Sequence, residues 1–196
     1  MIGFFFSSLL LSLHDPRQGL RQIQALNRPG GTEMVALLLM AVASALLMQL
    51  SLQILPMPEG SPFTALFSTP FLTAGLQFLT LLLCAFLAWL VGGWFGGRGS
   101  FADAVLAIAW LQAVMLAIQL VQLLALVILP VLSSLIGIAA VGIFVVLLSN
   151  FIAEIHGFAS PVKVFFGTVL TFLVSVFILT MILAPFIPSE YLPREL

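Results

Sequence analysis

The stretch LLSNFIAEIHGFASPVKVFF, Leu147 to Phe166, gathers Asn150, Glu154, His156 and Lys163 within twenty positions of a chain that is only 7% charged. Long apolar runs leave it in both directions, back through VGIFVVLL and forward through GTVLTFLVSVFILTMIL. Ser160 followed by Pro161 is a helix-start signal between them. The stretch reads as a hairpin end, where one apolar helix leaves its solvent, the charges collect in water, and the next helix returns.

Composition identifies that solvent. With 62% hydrophobic residues and 13 charged side chains (six Lys/Arg and seven Asp/Glu) in 196, the chain cannot hide its apolar surface in a water-soluble core. The bilayer takes that role. Cys84 is the single cysteine, so an internal disulfide and a cysteine-built metal site are both excluded. A net charge of −1 offers no basic face for phosphate neutralisation, which argues against nucleic acid as a partner.

Five apolar stretches are long enough for a hydrocarbon core of roughly 30 Å. They run over 34–55, 70–95, 101–129, 131–154 and 161–186, giving an all-α, polytopic membrane bundle expected to have five transmembrane helices. An unbroken helix from 101 to 154 would be about 80 Å long at 1.5 Å per residue, so a tight hairpin is required near Pro130. Thr69 before Pro70, and Ser100 with Asp103 at capping-box spacing, mark two further helix starts. Residues 187–196 form a short tail.

The opening MIGFFFSSLLLSL has no basic n-region and no small-residue cleavage site, so it is not expected to be a cleaved signal; it is too short to span and is expected in the interface. Behind it Asp15 can cap a short helix beginning at Pro16. Leu20, Ile23 and Leu26 share one of its faces and Arg17 and Arg21 another, the amphipathic pattern of a helix lying on a membrane. Residues 1–33 are thus an interfacial N-terminal segment.

The basic residues set the expected orientation. Arg17, Arg21, Arg28, Arg98 and Lys163 fall on one side, against Arg194 with Glu59, Glu190 and Glu195 on the other. This puts the N-terminus in the cytoplasm and the C-terminus outside it. Glu154 and Lys163 each sit at the helix end that the dipole disfavours, so a partner is expected for each: one another, Arg98, Arg17 or Arg21.

Gln49 and Gln53, Gln77, and Gln112, Gln119 and Gln122 are the sizeable polar groups at depth besides Asn150. Gln49, Gln77 and Gln122 lie at a common depth. Two readings follow: interhelical hydrogen-bond glue, or a polar layer of Gln49, Gln77, Gln119 and Gln122 around a cavity for a small solute or lipid headgroup. VGGWFGGRGSF, Val91 to Phe101, reads as a helix end with a flexible turn, or as close packing through overlapping GxxxG spacing. It lacks the GK[ST] ending of a nucleotide loop. No HExxH, no GxSxG and no paired intramembrane carboxylates are present, and His156, Glu154 and Asp103 make only a weak metal candidate; neither enzyme activity nor a cofactor is expected.

The five-span layout, the P-R-x-x-x-R helix, GGRGSFADAVLAIAW and EIHGFASPVKVFFGTVL together resemble the Yip family of Ypt/Rab-interacting membrane proteins, in its short prokaryotic form. The resemblance covers roughly Asp15 to Ala184 and implies a cytoplasmic N-terminus with five spans. It makes Pro16, Arg17, Gly97, Gly99, Phe101, Gly157 and Lys163 the counterparts of the family's recurring positions. Animal and fungal members bind prenylated Rab-type GTPases and one another. Here the segment before the first span is only about 33 residues, and Trp110 replaces a common Tyr, which speaks against a Rab-type partner.

The expectation is a non-enzymatic adaptor or membrane organiser in a bacterial cytoplasmic membrane. It would act through Arg17, Arg21, Arg98, Asp103, Glu154, His156 and Lys163, with a membrane protein or a second copy as partner. The alternative is a transporter or lipid-handling protein using the glutamine layer.

Overall fold

The computed structural model describes residues 2–26, 29–55 and 69–183. Arg28, Glu59, Glu190, Arg194, Glu195 and the tail 187–196 lie outside them. The described chain is helical throughout, in the order α1 (Ile2–His14), α2 (Pro16–Gln24), α3 (Thr32–Ile54), α4 (Pro70–Trp94), α5 (Phe101–Ile128), α6 (Pro130–His156) and α7 (Pro161–Leu183). Of these, α3 to α6 are four helices long and apolar enough to cross a membrane. The fifth expected span corresponds to α7, which among the described residues offers the shorter apolar stretch Pro161–Ser175.

Local chemistry sets the boundaries. Asp15 caps α2 by accepting from the Gln18 N–H at 3.0 Å, with Pro16 supplying the preset φ of a first helical residue. Thr69 accepts from Leu72 at the start of α4, and Ser100 and Asp103 close a complete capping box on α5. Between α5 and α6 only Leu129 leaves the helical region, at φ −150° and ψ 94°. A residue before proline is driven to that extended conformation, so Pro130 both ends one helix and begins the next.

The outer faces carry large exposed apolar side chains, among them Phe71 at 92% and Ile128 at 83% exposure. A soluble fold would not tolerate that surface. The core is crowded toward the end of the bundle that carries Arg21 and Glu154. There α5 is buried on every face from Ala104 to Leu111, the signature of a helix surrounded by others. Helices α1, α2, α3, α4 and α6 all pack against it.

Two expectations change here. The first thirteen residues do not merely border the bundle, because α1 folds back against α2 and reaches α5. The indole Nε1 of Trp110 donates to Ser12 Oγ at 2.9 Å, and the Phe5 ring meets Trp110 edge-on at 5.3 Å. Much of the apolar face of α2, in turn, is spent on protein: Leu20 and Ile23 are buried in the core cluster, while Leu26 is exposed. An indole N–H buried in an apolar bundle needs an acceptor, and α1 supplies it.

Gly19 allows α1 and α2 to meet this closely, because a Cβ there would lie 2.7 Å from the Ser12 backbone Cα and clash with its hydroxyl. Gly19→Ala is expected to pry the hairpin open at a cost of about 1–3 kcal/mol. In thermal unfolding of the detergent-solubilised protein its midpoint should fall, with a red shift of Trp fluorescence. Gly3→Ala, where a Cβ meets open space, should change neither.

Candidate functional site

At the charged end of the bundle, two helices finish in the same way. Helix α4 ends with Gly96 at φ 84°, and α6 with Gly157 at φ 72°, both in the left-handed region that favours glycine. Each is followed by a pair of reversed hydrogen bonds: Gly97 N–H to the Gly92 carbonyl and Gly96 to Gly93, then Phe158 to Ala153 and Gly157 to Glu154. These are two Schellman motifs. They bring both chain reversals face to face.

His156 joins them. It is 3% exposed, and both of its ring nitrogens meet backbone. Nδ1 accepts from the Gly99 N–H at 3.2 Å, and Nε2 lies 3.1 Å from the Ala88 carbonyl. An amide N–H only donates and a carbonyl only accepts, so the ring carries its proton on Nε2 and donates it to Ala88. The His156 carbonyl also accepts from the Arg98 N–H at 3.3 Å, and Phe158 stacks on the ring with centroids 5.5 Å apart.

The glycines expected as a flexible turn or packing motif form a cup for this ring. A Cβ on Gly92 or Gly97 would sit 2.2 Å from a ring nitrogen, and one on Gly99 would be 2.8 Å from the Ile155 carbonyl. Gly93, at equally good GxxxG spacing, meets nothing. Sequence spacing therefore marked the cluster, but the division of labour depends on a histidine some sixty positions away. That partner left no local signal.

Helix α2 straps this junction from outside. Arg17 Nη2 donates to the Phe158 carbonyl at 3.1 Å. Arg21 grips Glu154 in a bidentate pair, Nε to Oε1 at 2.5 Å and Nη2 to Oε2 at 3.0 Å. The hydrogen bond and charge of Glu154 raise the Arg21 pKa above its ordinary value. The Arg21 side chain is 63% exposed against 13% for Glu154, so the contact positions more than it stabilises.

Glu154 thus finds its partner in Arg21 and not in Lys163, which stands exposed on the first turn of α7 with no ion pair among the described residues. Arg98 extends an exposed side chain beside the cup, while Asp103 is committed to its capping box. The metal candidate does not assemble: among the described residues no group of three metal-ligating side chains comes together, and both His156 nitrogens are spent on backbone.

Two of the deep glutamines bridge helix pairs. Gln112 donates to Ser44 Oγ at 2.8 Å, joining α5 to α3, and Gln49 donates to Thr73 Oγ1 at 3.3 Å, joining α3 to α4. Gln122 lies opposite Gly137 across the α5–α6 pair. Gln77 and Gln119 are half-buried, and Gln53 is exposed. Gln49 and Gln112 thus each make an interhelical hydrogen bond, as expected of polar glue between membrane helices.

A family model described as the Yip1 domain matches residues 10–183. The chain belongs to the Yip1 domain family. No curated protein and no solved structure matches it. The match takes in the strap helix, the glycine cup and the His156 junction, so the Yip1 domain of this chain contains the whole charged end just described. It is a multi-pass membrane protein on that match and on its apolar helices.

Gly97→Ala drives a methyl into the buried imidazole and is expected to cost about 1–3 kcal/mol, whereas Gly93→Ala should be neutral or stabilise by up to about 1 kcal/mol. Equal thermal midpoints for the two variants would remove the cup. Separately, Gln112→Leu and Gln49→Leu should each cost on the order of 0.6 kcal/mol. Because they serve different helix pairs, their double variant should show the sum, read by denaturant unfolding in micelles.

Proposed function

We propose that this Yip1-family protein is a non-enzymatic membrane organiser that recruits a protein partner through its charged end. In this reading the charged end faces the cytoplasm and α7 completes a fifth span, which leaves the C-terminus on the far side. Its 23 residues would reach about 34 Å as a helix, enough to cross. The excess of Arg and Lys at the same end supports that orientation.

One observation carries the proposal: the charged end is braced as a fixed surface. The strap of Arg17 and Arg21, the His156 junction and the Ser100–Asp103 cap hold three chain segments together, and Arg98 projects from them. A surface pre-organised before contact loses less entropy on binding.

The test is recovery of the protein in native lipid nanodiscs, beside Arg98→Glu, whose exposed side chain makes no hydrogen bond or ion pair among the described residues. A stoichiometric protein partner is expected with the parent chain and should be lost on charge reversal, with the thermal midpoint unchanged. A partner retained equally by both, or none at all, counts against recruitment through this surface.

A further inference from the structure

Between α4 and α7, with α6 as its floor, runs a groove of about 450 Å³. Leu87 and Val91 line one wall, Leu148 and Ile152 the floor, and Val164 and Phe172 the other wall. The Thr171 hydroxyl within it donates back to the Gly167 carbonyl at 2.8 Å, so it offers the groove little more than its methyl. At one end the lining changes character, to Ser160 and Lys163.

Volume and charge together select an occupant. An apolar cavity of about 150 Å³ accommodates a benzene-sized molecule, so the groove takes roughly three times as many carbons, on the order of one acyl chain. A void of that size left empty would forfeit the dispersion contacts of its whole lining. In a bilayer the available filler is lipid hydrocarbon. At the groove's end Lys163 stands on the first turn of α7, where the helix dipole is also positive. The carboxylate nearest to it in sequence, Glu154, is already held by Arg21.

We propose that this groove is a lipid site that takes one acyl chain of an anionic phospholipid, with the headgroup phosphate on Lys163. The site is separate from the partner surface at Arg98 and stands whether or not that surface recruits a protein. Lys163 sets headgroup preference, and the apolar walls set residence.

The probe is phosphatidylglycerol carrying a diazirine in its acyl chain, at low fraction in phosphatidylcholine nanodiscs containing the full chain, with crosslinks mapped by mass spectrometry. Crosslinks should concentrate on Val91, Ile152 and Thr168. Unlabelled phosphatidylglycerol should displace them at roughly one-fifth the concentration needed of phosphatidylcholine, the preference that one lysine near a membrane surface confers. Lys163→Gln should erase that preference. Gly167→Leu, which projects into open groove, should reduce the crosslinks several-fold, while Gly142→Leu, also in open space but outside the lining, should leave them intact. Crosslinks spread evenly over lipid-facing residues, equal competition by the two lipids, or a Cys84–Cys84 bridge placing a second copy in the groove would each overturn the proposal. If Gly167→Leu fails to fold, the Lys163→Gln arm still decides.

Discussion

The arrangement depends on one imidazole wedged between two chain reversals. In a bilayer, lipid tails solvate apolar helix faces as well as another helix does, so burial alone does not fix which helices meet. Close packing and a few polar contacts do that instead. His156 supplies both at once, filling the cup of Gly92, Gly97 and Gly99 while its two nitrogens satisfy Gly99 and Ala88. The α4–α5 turn and the end of α6 are thereby held in one relative position.

Among the described residues, burial is concentrated at the end that this junction holds. Ala104, Ala107 and Ala109 keep α5 slender where its neighbours converge, and the buried Trp110 reaches between them to Ser12 on α1. Toward the α5–α6 hairpin the contacts thin out, and Val127, Ile128, Val131 and Leu135 face outward. A helix pair joined by a single extended residue cannot separate far at its turn, so α5 and α6 need no further brace there. At their hairpin α5 and α6 are held by covalent connection, and at the charged end by side chains.

How much of this was legible follows from the range of each signal. Helix limits were legible because proline, capping box and apolar run length act within four residues of one another, as at Leu129–Pro130 and Ser100–Asp103. The Arg21–Glu154 pair was legible only as a shortlist, since charge balance at a helix end demands a partner without naming it. The docking of α1 was not legible. MIGFFFSSLLLSL looks equally apolar whether it meets lipid or protein, and only the small residues Ser8, Ser12 and Gly19 distinguish the two once their neighbours are known. The groove was invisible for the same reason, being lined by three helices of which α4 is remote in sequence from α6 and α7.

The division of charge at this end links the junction to its surroundings. A carboxylate at the last turn of α6 opposes the helix dipole, and so does an ammonium on the first turn of α7. Pairing Glu154 with Lys163 would have cancelled both locally. The fold instead gives Glu154 to Arg21, because α2 is pinned across the junction by Leu20 and Ile23 beneath it and by Arg17 on the Phe158 carbonyl. One penalty is thereby relieved by an element that also braces the site. The other, at Lys163, is left to be met by an anion from outside the described chain, and the groove beside it determines which kind of anion can stay.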